Sequence, residues 1–417
     1  MFKAIWLNTS LILISFVTFA QVEKEIEPPF NIKTITFVQN NQNSIALFGL
    51  NDPFEIQFDD LYGNEANYYY EIVHCNYDWK HSDLTKNEYL QGFDGIRIQE
   101  YTNSLNTLQL YSHYRIGFPN KNTRLLVSGN YIIKILNEDR EVVFSRKLML
   151  FEDLVSVPMQ TKRARTLNTI NFKQNIDFSI KSPNLLFQSP LQNVKVLLLQ
   201  NGKLNEAITN IKPMYTIGND LIYKYDSETQ FWGGNEFLYF ENKIIRAANN
   251  FIARVDANNG VYNTHLYTDN ARINKSYTYN PDTNGNFVPL NVNASNNGIE
   301  ADYSWVFFTL SAPSFYEKKN IYVNGMFNNY AISDDNKMEY NQEKGIYEKA
   351  IMIKQGFTNY QYVVADETKK IDYENAIDGN FSQTENNYFA IIYYRENNQR
   401  YDRIIGKGVA NSEDITN

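Results

Sequence analysis

The chain has 417 residues and a mass of 48.7 kDa, with 31 Tyr and 27 Phe against 4 Trp and a formal net charge of −8. That length exceeds one ordinary core and predicts two or three domains. The acidic balance, with no cluster of five or more Lys and Arg, argues against nucleic acid or anionic lipid as the main partner.

At the N-terminus, Lys3 supplies a positive charge, residues 7–19 are mostly apolar, and Thr18-Phe19-Ala20 fits a small-x-small cleavage site. The expectation is a signal peptide over residues 1–20, cut between Ala20 and Gln21, and a mature protein soluble in the periplasm. An uncleaved anchor is the rival reading. The apolar run falls short of the roughly 20 residues a membrane span needs, and Asn8, Thr9 and Ser10 interrupt it. No Cys lies near the cleavage site, which argues against a lipoprotein.

Residues 30–156 read as a first β-sandwich. Runs at 33–38, 45–50 and 53–58 are rich in β-branched and aromatic residues, with the turn-forming 39–43 between the first two. Residues 68–79 begin an aromatic block that ends at Phe151. Within it 85–88 is a loop or a helical turn, and 130–136 with 141–151 form a hairpin. Roughly seven short strands in this stretch suit a sandwich of immunoglobulin-like size.

Residues 158–168, with Lys162, Arg163 and Arg165, carry no strand pattern and read as an interdomain linker. A second sandwich follows over 169–290. Its residues 194–201 are nearly continuously apolar, as in a central strand, and Phe231-Trp232-Gly233-Gly234 is an aromatic corner bent by glycines. Asp282-Thr283-Asn284-Gly285 has the beginnings of a calcium loop, but position twelve is Asn293 and no helix pattern flanks it; a turn is expected. The Asn-rich stretch 291–298 marks a second boundary. The third domain is expected over 301–405, with 388–394 and 401–405 as its last strands, before a poorly ordered tail at 406–417.

Little in the sequence suggests chemistry. The mature chain keeps one cysteine, Cys75, beside His74. Neighbouring strand residues point to opposite faces, so the two do not form a nucleophile–base pair. Nucleophile-elbow, phosphate-loop and zinc motifs are missing, and His74, His81, His113 and His265 are scattered. No catalytic residue, metal ligand or cofactor is therefore expected.

Two resemblances add to this reading. The segment Val323-x-Gly325-x-Phe327-Asn328 with Gly356-Phe357-x-x-Tyr360-x-Tyr362-x-Val364 is similar to early-set immunoglobulin-like modules that accompany glucan-active enzymes. Those modules stack sugars on surface tryptophans; here Tyr330 follows Asn328-Asn329 and Trp305 is the module's one tryptophan, which argues against glycan binding.

A second set of landmarks spans nearly the whole mature chain: Tyr70-Glu71 to Trp79, Tyr111-Ser112-His113-Tyr114, Gly129-Asn130-Tyr131, Gly233-Gly234-Asn235-Glu236-Phe237 and Thr384-Glu385-Asn386-x-Tyr388. In these the chain resembles the plug proteins of the type IX secretion system. The resemblance implies an all-β chain of tandem immunoglobulin-like β-sandwich domains. It also implies a non-enzymatic stopper at the periplasmic face of the outer-membrane type IX translocon barrel, held there through the barrel without entering the membrane itself. The alternative is a periplasmic or surface glycan-binding protein built on the third domain.

Overall fold

The computed structural model of the chain describes residues 22–258, 260–316 and 319–415. The expected cleavage site at Ala20 and Gln21 lies outside them. Among the described residues no helix is long and apolar enough to cross a membrane.

The chain is built from three β-sandwiches. In the first, one sheet runs in the order Gln42–Ser44, Ile32–Gln39, Phe54–Asp60, Ser112–Phe118 and Glu100–Asn103. The other runs Leu47–Gly49, Val142–Phe151, Gly129–Leu136, Tyr69–Cys75 and Ile96–Arg97. Period-two alternation puts Phe54, Ile56 and Phe58 into the core with Phe48, Tyr114, Tyr131, Phe144 and Leu148. The Phe58 ring stacks on Tyr114 at 5.0 Å and meets Phe144 edge-on at 5.2 Å. The polar stretch before Tyr89 is a helical turn, Lys86–Tyr89, with Thr85 and Glu88 in a capping box.

The second and third sandwiches are not in tandem, which corrects the expected boundaries. The strand Val194–Gln200 pairs antiparallel with Asn387–Tyr394, which pairs in turn with Arg403–Asn411. These C-terminal strands therefore complete the second sandwich. Tyr388, Ala390, Ile392 and Tyr394 share a core with Ile176, Phe178, Val196, Leu198 and Tyr223. Residues 238–289 belong instead to the third domain, where Leu238–Glu241 and Phe287–Pro289 both pair with Gly356–Ala365. The third sandwich is an insertion in the second, and the Asn-rich 291–298 lies inside it rather than at a boundary.

Two further expectations change for the same reason. The presumed linker contains a strand, Met159–Arg163, paired with Lys173–Ile180. It is an edge strand whose charges have local partners, Lys162 an ion pair with Asp177 and Arg163 a hydrogen bond to Asn171, while Arg165 just beyond it pairs with Asp226. The presumed tail is strand through Asn411. Gly406 and Gly408 let it approach the chain at Val155 and Val157 so closely that a Cβ on Gly408 would lie 2.7 Å from the Val157 carbonyl oxygen.

Candidate functional site

With no reactive cluster among the described residues, the joints between the three sandwiches are their most elaborated feature. The first joint is apolar. Along Val142–Phe151, Leu148 and Leu150 face the first core, whereas Met149 and Phe151 face outward. On the second domain Val196 and Leu198 face inward while Leu197, Leu199, Ile391 and Tyr393 face out to meet them. Strands buried on both sides explain why 194–200 reads as a continuous apolar run. Each large side chain buried here contributes about 1.5–3 kcal/mol.

A polar node rims this joint. The Asp402 carboxylate accepts the Tyr77 backbone N–H at 3.0 Å, Arg395 through two nitrogens at 3.0 and 2.9 Å, and Lys195 at 3.2 Å. Tyr393 donates its hydroxyl to Asn130 at 2.7 Å. Gly129, at φ +141°, passes so close that a Cβ there would lie 2.5 Å from His74 Nε2.

The second joint, between the first and third domains, is ionic and fully buried. Alternation along Phe54–Asp60 turns Asp59 to the outer face of its sheet, and the third domain covers it. Lys354 Nζ and the Tyr303 hydroxyl donate to Asp59 Oδ2, each at 2.6 Å, and His113 Nδ1 lies 2.6 Å from Oδ1. Lys354 also donates to the Gly298 carbonyl at 2.7 Å and sits 4.2 Å from the Tyr111 ring centre. Burial pushes the Asp59 pKa up, but the Lys354 charge and the His113 contact outweigh it and hold the carboxyl below its usual range. Burial alone pulls Lys354 down. With three donors on the carboxylate and a carbonyl on the ammonium, we read the pair as ionised. Beside it, Asp302 accepts the backbone N–H groups of Leu108 and Gln109 at 2.6 and 3.1 Å, pinning a first-domain loop to the third domain.

At the third joint the two crossovers of the inserted domain clasp each other. Phe381 donates its N–H to the Gly234 carbonyl at 2.8 Å, and Glu236 accepts the Glu385 N–H at 3.1 Å and the Tyr277 hydroxyl. A Cβ on Gly233 would lie 2.0 Å from the Phe381 carbonyl oxygen. Burial, with Asp282 and Glu385 nearby, raises Glu236 to about 7; burial also raises Asp282 to about 6.

The N-terminal leader straps the assembly. Ile26 and Ser145 exchange hydrogen bonds, and Glu25 bridges domains by accepting the Lys147 N–H at 2.7 Å and Asn329 Nδ2 at 2.8 Å.

The residues singled out from sequence fall into structural places. Cys75 is buried, which pushes its thiol up to about 12, and burial takes His74 down to about 4. The four histidines have separate partners: His74 with Ser82, His81 with Glu23, His113 with Asp59 and His265 with Asp256. Asn284 and Gly285 make the expected turn, at φ 53° and 84°, held by Asp282 accepting the Asn284 N–H at 2.6 Å. The strand after that turn, Phe287–Pro289, pairs with Gly356–Ala365 and not with a strand before it, so the turn closes no hairpin. Tyr330, the residue in question for sugar stacking, is buried with Lys203 over its ring. Trp232 lies under Lys173, and Trp305 is half-buried against Phe30. No group of three His, Cys, Asp or Glu able to hold a metal occurs among the described residues.

Sequence reasoning missed Asp59, Lys354, Tyr303 and Asp402. The first three sit where strand alternation assigns an outward, solvated position, and Asp402 precedes the strand Arg403–Asn411, so only the covering domain reveals them.

Fold and joints together define a body of three β-sandwiches, the third inserted in the second. The family model for the type 9 secretion system plug protein 1st domain matches residues 32–152. A crystal structure of a hypothetical protein from Parabacteroides merdae is similar over 93% of this chain and 98% of its own, at TM-score 0.87 and 31% identity. No curated protein matches the chain. The chain belongs to the type IX secretion system plug protein family. That membership ties it to the secretion system of the cell envelope, and the family is one of plug domains rather than a known family of enzymes.

Proposed function

We propose that this protein is the stopper of the outer-membrane type IX translocon barrel, seated at its periplasmic opening when no cargo is engaged. The observation that carries this reading is that buried contacts hold all three joints in a chain of this family. A barrel wide enough for folded cargo is an open aqueous channel unless something blocks it. A stopper made of freely hinged domains would leak, because each opening of a hinge would open a path for solutes.

Here every pair of domains is held by buried contacts: apolar faces between first and second, an ion pair beside an apolar cluster and the leader between first and third, and clasped crossovers between second and third. Contacts at all three joints favour a body that moves as one piece. Its seat on the barrel must be reversible, which favours a polar rim over a large dry interface.

The test is quantitative mass spectrometry of purified barrel complexes. Barrel lacking cargo should carry this protein, and barrel with engaged cargo should lack it, because two occupants of one opening compete by mass action. Equal occupancy in both populations overturns the reading.

A further inference from the structure

A cavity of about 320 Å³ lies where the three domains meet. The first domain supplies Phe37 and Ile45 to its wall, the second Leu204, and the third Met326 and Ile332. Charged side chains share the walls with them, Lys147 and Lys203 against Glu25 and Glu27, and cavities of this size at domain interfaces are where small molecules bind.

Arg146 also lines the cavity. It stands on Val142–Phe151 and is only 6% exposed. Among the described residues it makes no ion pair within 4.0 Å. Its hydrogen bonds run from one nitrogen, Nη1, to the carbonyls of Ser145 at 2.9 Å and Ile26 at 3.5 Å. A guanidinium has five N–H donors in a planar fork, and buried charges are ordinarily paired. Glu27, exposed on the leader, is near enough to feel this charge but forms no ion pair with it.

We propose that the junction cavity binds a small amphipathic carboxylate. Its carboxylate oxygens take the free donors of Arg146, and its hydrocarbon body lies against the walls of all three domains. The fork geometry matches a carboxylate, and the apolar walls select a hydrocarbon-bearing acid over a bare anion. A medium-chain fatty acid is the simplest member of this class. Bound there, it touches every domain and stabilises the joined state by mass action. The proposal stands independently of what the protein docks on.

The experiment is isothermal titration of the purified mature chain with decanoate below its micellar concentration, beside decanol and acetate. Decanoate should bind with a Kd below about 1 mM, and both controls at least roughly tenfold more weakly. Arg146→Gln should weaken decanoate by about tenfold or more, while Glu27→Gln, which removes a nearby like charge, should keep or tighten it. Ala331→Trp fills the cavity from the third domain without altering Arg146 and should abolish binding; it keeps the test decisive if the arginine variant folds poorly. Three results overturn the proposal: no decanoate binding to the native chain, decanol binding as tightly as decanoate, or decanoate binding undiminished by Ala331→Trp. Acetate binding as tightly as decanoate would mean an adventitious ion only, and overturns it as well.

Discussion

Asp59 and Lys354 are 295 positions apart in the chain and 2.6 Å apart in the folded protein, both within a few per cent of complete burial. One comes from the first sandwich and the other from the third, so the pair exists only when those domains are docked. Two charges taken out of water this completely gain little net stability over an apolar pair of the same shape. Their value lies in specificity, since a misdocked domain leaves an unpaired charge buried.

This gives a first prediction. Lys354→Met should destabilise the chain by about 3 kcal/mol, because Asp59 then keeps its charge without a cation. The double variant Asp59→Asn/Lys354→Met should recover part of that loss. Urea unfolding of the four proteins in the cycle measures it. Additive losses would show that the two residues do not act as a pair.

A second prediction concerns pH at the crossovers. Glu236 and Asp282 have raised pKa values, about 7 and about 6, so the folded state holds these protons more tightly than the unfolded chain. Their contribution is fully present below the ordinary carboxylate range and is lost as pH rises to about 7, beyond which it is flat. Tyr277, Glu385 and the Arg272 guanidinium, which donates to the Glu236 carbonyl, are the other polar groups at this clasp. Glu236→Gln keeps the acceptor for Tyr277 and the Glu385 N–H without the charge. It should therefore gain on the native chain by on the order of 2 kcal/mol between pH 5 and pH 8. An unfolding difference that stays constant across that range would refute the assignment.

Adjacent glycines at the same corner should respond unequally. Gly233→Ala drives a Cβ to 2.0 Å from a backbone oxygen that cannot move independently, at a cost of about 2–3 kcal/mol. Gly234→Ala meets nothing within 4 Å and suffers only its left-handed backbone at φ +64°, about 1 kcal/mol. Thermal melts of the two variants settle the order.

Cys75 should be inert in the folded protein. Burial lifts its thiol to about 12, so almost none is thiolate at neutral pH. Iodoacetamide labelling followed by mass measurement should show no adduct natively and complete reaction in denaturant. Rapid native labelling would mean that the strand Tyr69–Cys75 is far less protected than its burial implies.

How far the sequence could be read follows from what each signal reports. Alternation of Phe54, Ile56 and Phe58, and the doubly apolar run at 194–200, report burial of one or both strand faces, and both strands were legible. Pairing partners were not. Nothing local in Asn387–Tyr394 says that its ladder is with Val194–Gln200 rather than with the strands just before it, so the insertion of the third domain escaped notice. Met159–Arg163 was hidden by its charges, which an edge strand tolerates. The joints were hidden more deeply, because Asp59 and Lys354 occupy positions that alternation assigns to solvent.

The central claim, that this protein keeps a wide pore shut, is tested most directly by outer-membrane permeability in a strain lacking it. Uptake of a large antibiotic normally excluded by the outer membrane should rise in that strain while cargo secretion largely continues. A motor or chaperone would show the reverse, with secretion lost and the barrier intact. If the deletion strain stays as impermeable as its parent, the protein is not the stopper.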